Sequence, residues 1–302
     1  MKEQFINHKF NRASLALIET ANDILNDYAQ QGYRLSLRQL YYQLVARDYI
    51  ENTVKSYKRI GDLVSNARLA GLLDWEMIED RNRVATIPTS WTSPAEIVRA
   101  AANQFRVDRW EGQTYHVEVM VEKDALSGIL QPVCRELHVR FTANKGYSSS
   151  SAMYEAGQRM KWARRSGKSV VVLYFGDHDP SGIDMTRDID ERLRQFARTT
   201  KIDVRRLALN WEQVEDWNPP ENPAKETDSR YQAYADEFGE SSWELDAVEP
   251  RTLASLVREN VISLINEDQW NEVQQRERRM RADLERFASG YEYHEENEGD
   301  EE

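Results

Sequence analysis

The stretch SVVVLYFGDHDPSGIDM, residues 169–185, decides the fold. Its first seven residues, SVVVLYF, are rich in valine and aromatics without alternation, the pattern of a strand covered on both faces, as in a parallel sheet with helices packed over it. The next residues stop the strand and open a helix, with Asp179 placed as a cap and Pro180 at the first helical position. Ligands of open α/β sheets bind at the carboxyl edge, where strands end. Asp177 and Asp179 therefore fall where chemistry is expected, and their i, i+2 spacing points both carboxylates one way while His178 points elsewhere.

Working outward, apolar runs alternate with helical patterns. The run YHVEVMV at 115–121 leads into Glu122, and a helix over about 124–137, the run HVRFTA and a helix over about 149–166 follow. After residue 175 come a helix to about 198 and a short strand near 203–209. This β-α-β-α-β-α-β order predicts an α/β domain built on a parallel sheet with flanking helices. Glu122, Asp177 and Asp179 then form an acidic triad at one sheet edge. Three hard oxygen ligands suit Mg²⁺, with Mn²⁺ as the alternative, better than zinc. Such an ion would neutralise charge on a reacting phosphate. The plainer reading is that DHDPSG is only a strand-to-helix turn capped by Asp179.

Toward the N-terminus the pattern is helical, over 11–31, from Ser36 onward, and over about 53–70. In the first helix Leu15, Leu17, Ile18, Ala21, Ile24 and Leu25 give the apolar spacing, and in the third Tyr57, Ile60, Val64 and Ala67 form the core stripe. Lys55, Lys58 and Arg59 fall on that helix's other side. The segment LLDWEMIEDRNRV after Gly71 is expected as a strand pair or wing, with Arg81 and Arg83 placed to touch a nucleic-acid backbone. Three helices and a wing describe a winged helix-turn-helix over residues 1–86.

A helical linker over 87–113 follows, its helix starting at the capping pattern of Ser93, Pro94 and Glu96. The α/β domain with its extension takes 114–250. Within it 210–230 is proline-rich and is expected to be irregular. Charged helices are expected within 251–289, and residues 290–302 as a disordered acidic tail.

The composition bounds the function. A chain of 302 residues holds about two domains, and no apolar run approaches the roughly 20 residues of a membrane span. Cys134 is the single cysteine, which excludes an internal disulfide framework. The N-terminal residues lack a signal-peptide pattern, so a cytoplasmic location with no membrane partner is expected. The net charge of −12 is unusual for a DNA-binding protein, but residues 291–302 hold seven acidic groups and no Lys or Arg, whereas 34–72 hold seven Lys or Arg against three acids. An acidic total therefore leaves room for a local basic surface.

The pieces VEKDAL at 121–126, NKGYS at 144–148 and GDHDPSGIDM at 176–185 resemble, in order, the motifs of the Toprim domain. Within that group they are similar to the DNA-cleaving A subunit of topoisomerase VI and the related meiotic double-strand-break protein. The resemblance implies Glu122 as metal ligand or acid-base group, Asp177 and Asp179 as metal ligands, and Lys145 as a phosphate contact. WELDAVEP at 243–250 is similar to a downstream acidic motif, which makes Glu244 and Asp246 weaker site candidates.

The same family carries a nucleophilic tyrosine in an Arg-x-x-Tyr-Tyr context, present here in SLRQLYYQLV. Tyr41 sits in the apolar stripe and is expected to be core, whereas Tyr42 is turned about 100° from it. Arg38 lies one turn before Tyr42, where its guanidinium would hold a phosphate or favour the phenolate. The resemblance further implies a homodimer, the tyrosine of one protomer meeting the metal site of another. The sequence has no Walker-type loop, so strand passage would depend on a separate ATPase subunit or not occur.

Three functions follow as expectations. The first is Mg²⁺-dependent DNA cleavage with Tyr42 forming a phosphotyrosyl link. The second is a Toprim nuclease in which water attacks. The third is a winged-helix DNA-binding protein without catalysis.

Overall fold

The computed structural model describes residues 2–78, 89–144 and 149–298, with side chains described as far as residue 290. The chain divides into two compact units, Met1–Arg81 with His116–Ser263, and Asn82–Tyr115 with Leu264–Glu302.

The first unit opens with α1 (Arg12–Gln30), α2 (Leu37–Ala46) and α3 (Val54–Leu69). Each has a side-chain cap on its free N–H groups. Asn11 Oδ1 accepts from Ser14 N at 2.8 Å, Thr53 Oγ1 from Ser56 N at 3.1 Å, and Ser36 and Gln39 form a reciprocal capping box at the start of α2. The apolar faces close on one core containing Leu17, Ile24, Leu40, Leu44, Ile60 and Ala67. Leu15, expected on the buried stripe of α1, is 46% exposed, because the stripe runs through Leu17, Ile18 and Ala21 instead.

Of the segment expected as a strand pair or wing, only residues 72–78 are among the described residues. Residues 72–78 form a turn and a 3-10 turn over Trp75–Met77, with Ile78 making only an isolated bridge to Leu35. Arg68 Nη2 donates to the carbonyls of Trp75 and Ile78, holding this segment against the end of α3. Arg81 and Arg83 lie outside the described residues.

Next along the chain come α4 (Pro94–Gln104), β1 (Tyr115–Val121), α5 (Ser127–Glu136), β2 (Arg140–Ala143), α6 (Ser150–Arg165), β3 (Ser169–Phe175), α7 (Pro180–Ala197) and β4 (Ile202–Ala208). The four strands make a parallel sheet in the order β2-β1-β3-β4, with Val119 opposite Phe141 and Val172 opposite Val204. The centre of β3 is fully buried, as its unbroken apolar run requires. Met153, Met160 and Ala163 of α6 interlock with Met185, Ile189 and Leu193 of α7 over it. Gly157 permits that approach, since a Cβ there would lie 2.5 Å from Phe196 Cβ.

Of the segment expected to be irregular, 210–230, two short pieces are regular, α8 (Trp211–Trp217) and β5 (Glu221–Pro223), and the rest is turn and loop. Beyond it come α9 (Tyr231–Phe238) and β6 (Ser241–Trp243), with β5 and β6 paired antiparallel. Asn210 and Gln213 cap α8 reciprocally, so its prolines, Pro219 and Pro220, fall after the helix and not within it. The unit ends with α10 (Pro250–Ile262).

In the second unit α4 packs along α11 (Glu267–Glu298). Buried Glu277 accepts from Arg109 Nη2 at 2.9 Å and Val107 N at 3.2 Å, while Gln113 and Asn266 exchange bonds of 3.0 and 2.7 Å. The segment expected as a linker thus groups with the last helix. The helical backbone of α11 continues to Glu298, through most of the tail expected to be disordered, and residues 299–302 lie outside the described residues. No helix among the described residues is long and apolar enough to cross a membrane.

Candidate active site

The carboxyl ends of β1 and β3 are joined directly, because Glu122 N donates to Phe175 O at 2.9 Å and Asp177 N donates to Glu122 Oε2 at 2.9 Å. The two acids are therefore fixed side by side although they lie more than fifty positions apart. Arg206 of β4 staples the loop that follows, donating to the carbonyls of Gly176, Gly182 and Leu209 and to Thr186 Oγ1 at 2.8–3.2 Å. Gly182 is required where the loop turns into α7, since a Cβ would fall 2.2 Å from Asp177 O. Asp179 caps that helix, its Oδ1 accepting from Gly182 N at 2.6 Å and Ser181 Oγ at 2.8 Å. His178 turns away into a box of Trp211, Phe238 and Trp243 and is hydrogen-bonded with Tyr234 Oη at 2.8 Å. Burial, with Arg206 nearby, pushes it down to about 4, so it is neutral at physiological pH.

At the centre of the acidic group stands a residue to which the sequence reading gave no role. Lys123 Nζ donates to Asp177 Oδ2 at 2.6 Å, Glu244 Oε2 at 2.9 Å and Asp246 Oδ2 at 3.3 Å. Leu245 N donates to the other Asp177 oxygen at 2.9 Å. Burial opposes the Lys123 charge, but Asp177, Asp246 and Glu244 outweigh it and raise the ammonium well above its ordinary value. Glu244 is also held below the usual carboxylate range despite burial, by Lys123 and then by Arg38, which pairs with its other oxygen. For Glu122 the pull of the Lys123 charge is outweighed. Burial and then the Asp177 charge push it up to about 8, and burial likewise raises Asp177.

The second wall comes from α2. Tyr42 Oη accepts from Asn222 Nδ2 at 3.0 Å, and Tyr41 Oη donates to Asn52 Oδ1 at 2.9 Å. Tyr41 is buried as expected, at 3% exposed, and Tyr42, although turned about 100° from it, is buried equally. The apolar face of α2 takes both because the 245–247 turn packs against it, with Ala247 in the same buried cluster. Arg38 does act to favour the Tyr42 phenolate, but burial and Glu244 outweigh it, and the phenol is raised above its ordinary value.

Arg38, Tyr41, Tyr42, Glu122, Asp177 and Asp179 all line one cleft of about 870 Å³. Lys123, Asn222 and Glu244 line it too. Asp246 sits behind them, buried, with Oδ1 unpartnered. Lys55, Lys58 and Arg59 are exposed on α3 and stand outside the cleft wall. Lys145 lies outside the described residues.

The donors facing this cleft suit a hard divalent cation in kind. The carboxyl oxygens of Glu122, Asp177, Asp179 and Glu244 line it, with Asp246 behind them, and Lys123, Arg38 and Arg206 are cations that act on these groups. As placed, no group of three or more His, Cys, Asp or Glu among the described residues is arranged to hold an ion, and the Lys123 ammonium holds the position between Asp177, Glu244 and Asp246. No protein-family model, curated protein or solved structure matches the chain.

Two cleft residues escaped the sequence reading. Lys123 carried a signal, since it lies inside the quoted VEKDAL next to Glu122. Asn222 carried none, lying in a stretch that looked structureless.

Proposed function

We propose that this cleft cleaves DNA phosphodiesters, with Tyr42 as the nucleophile and the sheet-edge carboxylates as the Mg²⁺-dependent half of a Toprim-type, topoisomerase VI A-like site. The observation that carries the reading is that Tyr42 and Arg38 face Glu122, Asp177 and Asp179 across a single cleft. The Tyr42 oxygen forms a bond to phosphorus as the bond from phosphorus to a sugar oxygen breaks. A neighbouring carboxylate takes the phenol proton, the leaving sugar oxygen gains one, and nothing is oxidised or reduced. Arg38 holds a phosphate oxygen beside Tyr42. Glu122 and Asp177, with Asp179, would hold Mg²⁺, which when bound neutralises phosphate charge. Exposed Lys55, Lys58 and Arg59 of the proposed winged-helix region would meet the DNA backbone without reading sequence.

One observation favours a second reading. The Tyr42 phenol is buried, accepts from Asn222 and is raised above its ordinary value, which suits water as the attacking group in a hydrolytic nuclease.

The test is incubation of purified protein with supercoiled plasmid and Mg²⁺, followed by detergent trapping. Tyrosine attack predicts protein covalently attached to DNA ends, lost in Tyr42→Phe and retained in Tyr41→Phe. Cleavage without covalent attachment, undiminished in Tyr42→Phe, selects the nuclease. Absence of any cleavage defeats both and leaves a DNA-binding protein.

A further inference from the structure

A second cavity of the first unit, about 960 Å³, has no part in the chemistry proposed above. Its walls are fixed by the sequence. Helix α8 ends where Asn218 takes the left-handed conformation, at a φ of 43°, and Pro219 and Pro220 then set the path of the chain into β5. From α2 comes Gln43, one residue after Tyr42, and Trp217 lines the same space. Gln43 is only 6% exposed, yet its amide has no hydrogen-bond partner among the described residues. A buried amide in that condition is costly, because it carries two donors and an acceptor. A ligand that offers both an acceptor and a donor, as a backbone peptide group does, meets its need.

Charge decides the rest of the ligand. Asp48, Glu215 and Glu221 line the cavity, exposed and without an ion pair among the described residues, and no Lys, Arg or His is among the described residues that line it. Glu249 lines it too and accepts from Tyr28 Oη at 2.6 Å. A phosphate or carboxylate entering here would meet like charge, whereas a cation is drawn in. Of the common cations a guanidinium suits these walls best. It lies flat on an indole, spreads five donors over several carboxylates and is more weakly hydrated than an ammonium. The half-buried Trp217 ring touches no other ring or cation among the described residues, so its face is free for that contact. We propose that this cavity docks an arginine-bearing segment of a partner polypeptide, with the guanidinium on Trp217 and the rim carboxylates and a peptide group on the Gln43 amide. The volume stands near the top of the roughly 300–1,000 Å³ range of ligand sites and takes a few residues rather than one side chain. The two prolines preset one wall, which lowers the ordering cost of binding.

Binding is read without any assay of cleavage, so its outcome stands apart from the tyrosine reading. Full-length protein with isotope-labelled tryptophan is titrated with the blocked peptide Ala-Arg-Ala-Arg-Ala, its lysine counterpart and methylguanidinium, and the indole N–H resonances are followed by NMR. The Trp217 signal is identified by its loss in Trp217→Phe. The arginine peptide should move that signal saturably while most other indole signals stay in place. The lysine peptide should bind about threefold or more weakly, and methylguanidinium, which has no peptide group, about tenfold or more weakly. Gln43→Leu should weaken the arginine peptide about fivefold, as loss of a buried hydrogen-bonding pair does. Glu215→Gln combined with Glu221→Gln should weaken it about threefold and flatten its salt dependence. These two positions are exposed, so the double variant decides the matter if Gln43→Leu does not fold. A Trp217 signal that stays still at millimolar arginine peptide overturns the proposal. So does equal binding of the lysine and arginine peptides with no response to Gln43→Leu, which would reduce the cavity to an acidic surface. Methylguanidinium binding as tightly as the peptide overturns the polypeptide partner and leaves a site for a small cation.

Discussion

Two glutamates, one in the middle of β1 and one just past its carboxyl end, have opposite surroundings. Glu118 is wholly buried and meets Arg159 twice, at 2.9 Å from Nε and 2.7 Å from Nη2, with His116 Nε2 at 2.9 Å. Burial alone would raise it, but Arg159 and His116 outweigh that and hold it below the ordinary carboxylate range. Glu122 is 6% exposed, touches the amide of Asp177 and is driven the other way by burial and a like charge. The difference teaches what makes a buried carboxylate scaffold and what leaves it available. A bidentate guanidinium satisfies the first completely. The second keeps an electrostatic need that a cation or a proton can fill, the condition under which carboxylates do chemistry.

The sharpest way to break this contrast is to neutralise each acid in turn. Glu122→Gln should lower plasmid cleavage on the order of 100-fold or more, as loss of an acid-base or ion-holding group does. Glu118→Gln should leave the cleavage rate of the folded protein within about threefold. Stability should rank oppositely: Glu118→Ala loses its charged hydrogen bonds to Arg159, about 2–3 kcal/mol, whereas Glu122→Gln removes a disfavoured charge and is neutral or stabilising. Urea midpoints and gel-based cleavage rates measure the two axes. Equal loss of cleavage in Glu118→Gln would erase the distinction.

A smaller effect lies in pH. The folded-state value of Glu122 is raised, so between the ordinary carboxylate value and about 8 the folded protein keeps a proton that the unfolded chain has released. Stability without divalent ions therefore falls as pH climbs through that window. Glu118 has the opposite sign: its contribution is present above its unfolded value and is lost as pH drops through its lowered folded value. Urea midpoints measured in EDTA should decline in wild type from about pH 6.5 to about pH 8 and flatten in Glu122→Gln; below that window the lowered His178 adds a slope of the opposite sign, and raised Asp177 adds to the decline. An identical decline in both proteins would show that Glu122 is ionised throughout.

Why the sheet was legible and the cleft only half so follows from what each depends on. SVVVLYF can be satisfied only by burial on both faces, and the caps at Ser36, Ser93 and Asp179 are local chemistry, so period and punctuation sufficed. The convergence of Glu122 and Asp177 also followed from strand order, since both stand at strand ends. Lys123 was invisible as the central cation because its partners Glu244 and Asp246 arrive from more than a hundred residues downstream. Helical periodicity could not separate Tyr41 from Tyr42, because it counts faces of one helix and knows nothing of the 245–247 turn that covers the second face.

Asp179 stands between the two kinds of carboxylate, and the smallest predicted change separates its roles. As a cap it needs only an oxygen that accepts from Gly182 N, and asparagine caps a helix about as well as aspartate. Asp179→Asn should therefore keep the urea midpoint of wild type, while Asp179→Ala costs about 1 kcal/mol. If Asp179 serves only α7, cleavage by Asp179→Asn stays at the wild-type rate, and the acidic edge reduces to Glu122 and Asp177. If its charge also belongs to the cleft, cleavage falls with no change in stability, and the Mg²⁺ concentration giving half-maximal rate rises. A drop in stability with Asp179→Asn would contradict both, because it would mean the charge rather than the oxygen holds the start of α7.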